Sequence, residues 1–212
     1  MTAPVHALPP YILRALDRVE LSRRIYQATA ATAALRVIRG GRNAEINLPP
    51  GTGKTLISQI VGCVWLQERR EAGEKVLCVV PSSVLRAQHH SYCVWWAGDA
   101  RLCTPLEVSS EWKASTNVWH QVSARQTDFW FSLPEIFCNT VDSSQIPADA
   151  LDRITLVILD EYDAFSIGIL TAGGHRLRFT KDYTRLLEIL QRRERRYLLM
   201  SATPARHQGL ES

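Results

Sequence analysis

The stretch LPPGTGKT, residues Leu48–Thr55, decides how the rest of this sequence is interpreted. It lies between a short apolar segment, AEINL (Ala44–Leu48), and a segment with helical periodicity that begins near Lys54. Its two glycines let backbone N–H groups turn toward a phosphate chain, and the start of a helix adds partial positive charge. The Lys-Thr pair offers an ammonium group to phosphates and a hydroxyl to Mg²⁺. The stretch therefore predicts a phosphate-binding loop, although Leu48 stands where the strict pattern has glycine.

Composition places few limits on function. The chain has 212 residues, of which 46% are hydrophobic and 22% charged, as in an ordinary soluble globular protein with one sizeable core. The formal net charge of +4 permits a polyanionic partner without requiring one. The five cysteines form no CxxC pair, so buried thiols in a reducing compartment are expected. Without a signal peptide or a membrane-length apolar run, the sequence predicts a cytoplasmic protein (nuclear in a eukaryote) with no membrane partner.

Short apolar runs alternate with amphipathic segments along the chain. We expect buried strands at Ala44–Leu48, Lys75–Val80, near Leu102, Glu135–Thr140, Thr155–Asp160 and Tyr197–Ser201. Helices are expected at Glu20–Ile38, Lys54–Arg70, Ser83–Trp95, near Gln121 and at Asp182–Arg193. This alternation predicts an α/β fold, with a mainly parallel sheet covered by helices on both faces.

A second chemical element is LVILDEYD, residues Leu156–Asp163, an apolar strand that ends in carboxylates. In an open α/β sheet, ligands bind at the carboxyl ends of the strands, so this strand should deliver its acids beside the phosphate loop. We expect Asp160 to hold Mg²⁺, through water, and Glu161 to orient and deprotonate an attacking water molecule. His89, His90 and His120 have no partners at metal-ligand spacing, so no zinc site is expected.

With both elements present, the chain resembles the superfamily-two DExD/H helicases and translocases. DEYD (160–163) is similar to their acidic box, and YLLMSATP (197–204) to the strand and Ser-Ala-Thr of their motif III. Three further segments resemble family elements in the right order: RIYQ (24–27), VLCVVPSSVLRAQ (76–88) and IFCNTVDSS (136–144). LPPGTGKT alone is equally similar to AAA+ ATPases. The long separation of Lys54 from Asp160 and the P-S-x-x-L-x-x-Q element favour the helicase type.

The resemblance implies a three-layer RecA-like P-loop NTPase fold with ATP and Mg²⁺ as cofactors. The implied catalytic residues are Lys54, Asp160 and Glu161, with Thr55 and Asp160 holding Mg²⁺. The nucleotide would be bound by Arg24, Gln27, Pro50, Gly51, Thr52, Gly53, Lys54 and Thr55, with the Gln27 amide on the adenine edge. Nucleic acid would contact Pro81, Ser82, Ser83, Arg86 and Thr140, and coupling would run through Asp163, Ser201, Ala202 and Thr203.

The resemblance also implies a domain organisation. Residues 1–40 would form an N-terminal helical segment that carries R-x-Y-Q, and residues 41–212 a first RecA-like domain. The second RecA-like domain, which supplies the arginine finger, has no counterpart after Ser212, so the chain should bind Mg-ATP and hydrolyse it slowly. An excised or truncated domain is favoured; a split motor with its second half in another polypeptide and a solitary nucleotide sensor stay open.

Several functional alternatives also stay open. The leading interpretation is an ATP hydrolase of helicase or translocase type that binds the nucleic-acid backbone. The alternatives are an ATP-gated nucleic-acid-binding or scaffold subunit with negligible hydrolysis, and an AAA+-type ATPase. DNA is favoured over RNA because R-x-Y-Q and DEYD resemble restriction-enzyme motor subunits and repair translocases more than DEAD-box RNA helicases.

Overall fold

The computed structural model describes residues 8–21, 24–109, 117–171, 174–191 and 195–202. The strands are β1 (Ala44–Asn47), β2 (Lys75–Val79), β3 (Pro105–Glu107), β4 (Phe129–Ser132), β5 (Ile154–Asp160), β6 (Ser166–Thr171), β7 (Gly174–Phe179) and β8 (Arg196–Ser201). Six of them form one sheet in the order β1-β8-β5-β2-β4-β3, and each neighbouring pair is parallel. The remaining two, β6 and β7, form an antiparallel hairpin.

The helices are α1 (Pro10–Arg18), α2 (Ile25–Arg39), α3 (Lys54–Glu68), α4 (Ser83–Cys93), α5 (Asn117–Gln126), α6 (Pro134–Asp142), α7 (Ala148–Asp152) and α8 (Lys181–Leu190). A π-helical turn, Val94–Gly98, extends α4. Ser82 caps α4 and Thr180 caps α8, each accepting a backbone N–H bond on its hydroxyl. None of the helices within the described ranges is long and apolar enough to cross a membrane.

Alternating side chains along the central strands divide the core into two layers. On β5, Leu156 and Ile158 pack in one cluster with α1–α4, whereas Val157 and Leu159 pack in a second cluster with α6–α8. Because successive residues of a strand face opposite sides of the sheet, an apolar run buried on both faces needs helices on both sides. The architecture is therefore a three-layer α/β fold, as the sequence predicts. Ile12 of α1 shares the first cluster, so the N-terminal segment packs on the same core as the sheet.

The segment before β5 differs from its sequence prediction. Glu135–Thr140, expected as a strand, lies within α6, and the strand of this region is β4, with sequence FWFS. Pro134 occupies the first helical turn, where its missing N–H costs nothing, and the buried side chains Pro134, Phe137, Cys138 and Thr140 follow helical spacing. An apolar run alone does not distinguish a short strand from the buried face of a helix.

Smaller differences occur near the N-terminus, around Leu102 and after the acidic box. The first long helix begins at Ile25 instead of Glu20, which has a left-handed backbone with φ 54°, and a separate helix, α1, precedes it. The strand expected near Leu102 begins at Pro105. The β6–β7 hairpin, which follows the acidic box, has no counterpart in the sequence prediction.

Candidate active site

The carboxyl ends of β1, β8 and β5 bring the phosphate loop and the acidic box to one edge of the sheet. Asn47 at the end of β1 lies opposite Ser201 of β8, and Asp160 at the end of β5 lies opposite Met200. The N–H of Leu48 donates to the carbonyl of Ser201 at 3.1 Å, which continues the ladder into the loop. Ser201 is therefore positioned between the two chemical elements, which are far apart in sequence.

The loop takes the shape that its glycines allow. Gly51 and Gly53 have φ values of +76° and +78°, in the left-handed region that favours glycine, and α3 begins directly after Gly53. A Cβ atom at Gly53 would lie 2.4 Å from Nε2 of Gln27, so a side chain there would also collide with a neighbour. The hydroxyl of Thr52 donates to the carbonyl of Pro49 at 2.7 Å and closes the turn.

Lys54 lies inside this turn. Its side chain is buried, and Nζ donates to the carbonyl of Leu48 at 3.1 Å, across the mouth of the loop. The ammonium group is therefore held beside the first turn of α3, where the helix N-terminus also attracts anions. This is the arrangement that binds the phosphates of a nucleotide in a P-loop.

The R-x-Y-Q element braces the loop from α2. Gln27 Nε2 and Tyr26 Oη both donate to the carbonyl of Thr52, at 2.9 and 2.7 Å. Gln27 Oε1 accepts the backbone N–H of Arg24 at 2.9 Å, which forms a capping box at the start of α2. The structure thus brings Arg24, Tyr26 and Gln27 to the nucleotide loop. Contact of Gln27 with adenine stays a prediction, and here its amide bonds to protein backbone at both ends.

The acidic box has a constrained backbone. Asp160 is buried, and its Oδ1 accepts the N–H of Glu161 at 3.1 Å. Glu161 has a φ of +50°, a left-handed conformation that costs a residue other than glycine roughly 1–2 kcal/mol. Strain of this kind collects at functional sites, where the surrounding structure holds the residue in place. Tyr162 Oη donates to Glu45 Oε1 at 2.7 Å. Burial raises the pKa of Tyr162, and the hydrogen bond to Glu45 raises it further.

A histidine that the sequence analysis considered for a zinc site, and did not assign to the nucleotide site, lies in the centre of the site. His89 of α4 is 2% exposed, and its Nε2 lies 3.0 Å from Asp160 Oδ2 and 3.2 Å from Thr55 Oγ. On the other side of the ring, Nδ1 lies 3.9 Å from the Sγ atom of Cys78. Burial raises the pKa of Cys78 well above its usual value, so its thiol is neutral. Helical spacing places His89 on the buried face of α4 with Arg86 and Cys93, which is the signal that could have identified it.

The donor set of this site fits a hard divalent cation. Thr55 offers a hydroxyl oxygen and Asp160 a carboxylate oxygen, and the shared contact with His89 brings these two side chains to one place. Oxygen ligands of this type are those that Mg²⁺ prefers. Thr55 and Asp160 are the two residues that the sequence predicts as Mg²⁺ ligands.

The coupling residues are only partly described. Ser201 is fully buried at the end of β8, Ala202 follows it, and Asp163 lies two residues after the strained Glu161. The contact predicted between Ser201 and Asp163 therefore stays a prediction. Thr203 lies outside the described residues.

Two of the residues predicted to contact nucleic acid are buried and make bonds within the protein, and their contact with nucleic acid stays a prediction. Arg86 is 8% exposed; its Nε donates to Glu107 Oε1 at 2.8 Å and its Nη1 to the carbonyl of Val108 at 3.2 Å, so it joins α4 to β3. Thr140 is 4% exposed within α6 and donates to the carbonyls of Ile136 and Phe137. Both residues lie on the buried faces of their helices.

The other three predicted nucleic-acid residues lie at the surface of the same edge. Pro81 and Ser82 follow the end of β2 and are half-buried, and Ser83 at the start of α4 is exposed. The hydroxyl of Ser82 accepts the N–H of Leu85 at 3.3 Å as a helix cap. A pocket of about 620 Å³ lies between the start of α3 and the length of α4 and is lined by Gly53, Thr55, Leu56, Leu85, Gln88, His89, Ser91, Tyr92 and Trp95.

Solved structures of similar fold include helicase domains. The chain is similar to the Pyrococcus furiosus Hef helicase domain, with 19% identity, a TM-score of 0.65, and coverage of 91% of this chain and 35% of that one. A variant of S. cerevisiae Dbp5 bound to RNA and ADP BeF3 has 17% identity, a TM-score of 0.69, and coverage of 93% and 45%. A hypothetical ATP-dependent RNA helicase from Sulfolobus tokodaii has 20% identity, a TM-score of 0.64, and coverage of 91% and 50%. At these identities the likeness shows the fold.

The chain spans half or less of the length of these three structures. No curated protein matches the sequence. The family model of the DEAD/DEAH box helicases matches residues 24–209, from the R-x-Y-Q element past the Ser-Ala-Thr segment. Since this match covers most of the chain and includes both the phosphate loop and the acidic box, the chain belongs to the DEAD/DEAH box helicase family.

Proposed function

We propose that this chain is the Mg-ATP-binding domain of a nucleic-acid-dependent ATPase, a helicase or translocase. The observation that carries this proposal is that Thr55 of the phosphate loop and Asp160 of the acidic box contact the same atom. Their side-chain oxygens lie 3.2 and 3.0 Å from His89 Nε2. The proposal is further supported by family membership, because DEAD/DEAH helicases hydrolyse ATP in general.

Each residue at this edge has a role that its chemistry allows. The N–H groups of the loop from Gly51 to Thr55 bind phosphate oxygens, and Lys54 adds a positive charge to them. Thr55 and Asp160 would hold the Mg²⁺ ion, which would supply positive charge beside the phosphate oxygens. Glu161, held by its strained backbone directly after Asp160, orients and deprotonates the attacking water.

The proposed partner is a nucleic-acid backbone that lies across Pro81, Ser82 and Ser83. These residues follow β2 on the same edge of the sheet, and the hydroxyls and N–H groups of Ser82 and Ser83 suit phosphate contacts that do not depend on sequence. We propose DNA as the preferred strand because of the R-x-Y-Q resemblance, and we take the RNA bound in the Dbp5 structure as the competing case. Full turnover requires a second RecA-like domain, in the same polypeptide or in a partner, that supplies an arginine finger.

The direct test removes the loop's positive charge. One charge pair at about 4 Å and an effective dielectric near 20 contributes roughly 4 kcal/mol, so Lys54→Ala should weaken binding of a fluorescent ATP analogue with Mg²⁺ by about 100-fold or more. Lys181→Ala is the matched control, because Lys181 is an exposed lysine at the start of another helix, α8. Equal affinities of the two variants would contradict the proposed site.

Strand preference needs a separate measurement. Single-stranded DNA and RNA oligonucleotides of one sequence are titrated into the chain in the presence of Mg²⁺ and a non-hydrolysable ATP analogue. We expect tighter binding of DNA, and a fall in affinity with salt for both strands, because backbone contacts release counterions. Tighter binding of RNA would reverse the preference while leaving the ATP site intact.

A further inference from the structure

Three cysteines meet in the core at the end of α4, outside the candidate active site. The Sγ atom of Cys103 lies 3.5 Å from that of Cys93 and 3.8 Å from that of Cys63. Cys63 belongs to α3, Cys93 is the last residue of α4, and Cys103 precedes β3; all three are free thiols. Since a disulfide holds its sulfur atoms about 2.0 Å apart, Cys93 and Cys103 need to approach by only about 1.5 Å to form one.

The chain between Cys93 and Cys103 is a compact turn. The N–H of Leu102 donates to the carbonyl of Ala97 at 3.0 Å, and Arg101 has a left-handed backbone with φ 57°. A strained residue of this kind persists only where the surrounding structure holds it in place. The turn therefore keeps the two thiols side by side.

A cavity of about 410 Å³ gives small molecules access to one thiol of the cluster. Cys103 lines this cavity and is 6% exposed, whereas Cys63 and Cys93 are fully buried. A water molecule occupies about 30 Å³ in the liquid, and hydrogen peroxide is only slightly larger, so the cavity admits it. An oxidant that enters from solvent therefore meets Cys103 before it meets the other two cysteines.

Hydrogen bonding within the cluster decides which sulfur is the nucleophile. The bond from the thiol of Cys63, and after it that from Cys93, lowers the pKa of Cys103 below its usual value. Burial raises the pKa of Cys63 and of Cys93, so these two stay neutral thiols. Because the thiolate is the reactive form of cysteine, Cys103 reacts first.

We propose that Cys103 is a redox-reactive thiol, which hydrogen peroxide oxidises and which then forms a reversible disulfide with Cys93. The Cys103 thiolate attacks one peroxide oxygen, the O–O bond breaks, and the hydroxide that leaves takes up a proton to become water. Cys93 then attacks the sulfur of the sulfenic acid, the S–O bond breaks, and the hydroxyl leaves as water with the Cys93 proton. The two sulfur atoms lose the two electrons that the peroxide gains.

The modification is reversible and independent of the proposed function. A dithiol reductant restores both thiols by exchange and is itself oxidised to a disulfide. In a reducing compartment, a disulfide of this kind forms transiently and reports the presence of oxidant.

The first test locates the bond in the unaltered chain. Trypsin cleaves after Arg101, so Cys93 and Cys103 fall in different peptides. The reduced chain is treated with hydrogen peroxide, its remaining thiols are alkylated, and its tryptic peptides are examined by mass spectrometry. We expect a linked pair that contains Cys93 and Cys103, separated again by dithiothreitol. A pair that links Cys63 to Cys103, or complete alkylation of all cysteines after peroxide, would overturn the proposal.

The second test compares Cys103 with an equally buried thiol. Cys138 is 4% exposed, its Sγ donates to the carbonyl of Asp182 at 3.6 Å, and burial raises its pKa to about 11. We expect peroxide to oxidise Cys103 at least about tenfold faster than Cys138. Cys138→Ser should leave the linked peptide pair unchanged, whereas Cys93→Ser should leave Cys103 as a sulfenic acid that dimedone labels.

Two outcomes of this comparison would contradict the proposal. One is equal oxidation rates of Cys103 and Cys138 in the unaltered chain, since burial alone would then govern both. The other is a Cys93→Ser protein that folds and gives no dimedone label on Cys103. If that variant does not fold, the rates of the two cysteines in the unaltered chain decide.

Discussion

The carboxyl edge of the sheet has two halves that differ in how their polar residues are used. In the first half, after β1, β8 and β5, polar side chains lie close together. Lys54 donates to a carbonyl of the phosphate loop, and Thr55 and Asp160 both contact His89. In the second half, after β2, β4 and β3, two of the polar side chains expected to bind a ligand make bonds within the protein. The ion pair of Arg86 with Glu107 and the helix contacts of Thr140 are examples.

This difference shows that a polar residue near a ligand-binding edge is not by itself a ligand-binding residue. In the first half, strained or left-handed backbone at Gly51, Gly53 and Glu161 accompanies the chemistry. In the second half, the buried side chains of Arg86 and Thr140 bond to neighbouring helix and strand groups, and the segment around Ser83 is exposed. Variants can therefore separate binding effects from stability effects in each half.

In the first half, the largest effect on nucleotide affinity after that of Lys54→Ala is expected from Gly53→Ala. The backbone at this position is left-handed, which disfavours alanine, and the new Cβ atom would collide with Nε2 of Gln27. The loop must therefore move away from Gln27. We expect the Mg-ATP affinity to fall at least about tenfold, which is about 1.4 kcal/mol, as measured by titration with a fluorescent analogue.

Gly41→Ala is the matched control for this prediction. Gly41 also has a left-handed backbone, with φ +82°, and lies before β1, away from the phosphate loop; its Cβ would meet Arg196 at an ordinary 3.6 Å. It should carry the same backbone strain, roughly 1–2 kcal/mol of stability, with unchanged ATP affinity. Equal loss of ATP affinity in both variants would mean that the loop geometry is not what binds nucleotide.

In the second half, the largest effect on stability is expected from Arg86→Ala. Because the buried guanidinium bonds to Glu107 and to the Val108 carbonyl, its loss should lower the free energy of unfolding by about 2 kcal/mol, as measured by urea denaturation. The exposed Arg185, paired with Asp142 and Glu188, is the control, and Arg185→Ala should cost no more than about 1 kcal/mol.

The same Arg86 variant also tests the predicted phosphate contact. If Arg86 bound a phosphate, its loss would reduce the slope of log affinity against log salt for an oligonucleotide by about 1. We expect the slope to be unchanged. A reduced slope with unchanged stability would confirm the predicted contact and remove the contrast between the two halves.

The smallest effect is expected from Thr140→Val, which removes a buried hydroxyl and keeps the shape. The hydroxyl contacts only carbonyls of its own helix in the bonds described, so the loss should be about 1 kcal/mol or less by thermal unfolding, with unchanged oligonucleotide affinity. Thr184→Val in α8 is the control, since its hydroxyl makes the same kind of bond to Thr180 from an exposed position. A selective loss of oligonucleotide affinity in Thr140→Val would contradict its structural role.

The sequence predicted the first half well because its chemistry depends on neighbouring residues. The spacing of Gly51, Gly53, Lys54 and Thr55 defines a loop by itself, and the run before Asp160 defines the strand that delivers it. The three-layer parallel fold followed from the alternation of such strands with helices. R-x-Y-Q also proved to lie against the loop, through the carbonyl of Thr52.

The remaining features depend on contacts that sequence spacing does not encode. The strand Phe129–Ser132 is short and apolar, and no local pattern distinguishes it from the apolar run that follows. The strand was therefore predicted at Glu135–Thr140, which lies within α6. Arg86 finds Glu107 only because β3 lies beside α4, and His89 meets Asp160 only because β2 and β5 are neighbours in the sheet. Tertiary pairing, not local pattern, decides whether each of these side chains is a ligand or a support.

The central claim is that one edge of this sheet carries two separate ligand surfaces, and hydrogen exchange of the unaltered chain tests it most directly. Peptides that cover residues 48–57 and 158–163 should gain protection with Mg-ATP, and a peptide that covers residues 80–86 should gain protection with single-stranded oligonucleotide. Protection of residues 80–86 by Mg-ATP alone, or no protection of residues 48–57 at saturating Mg-ATP, would contradict the account.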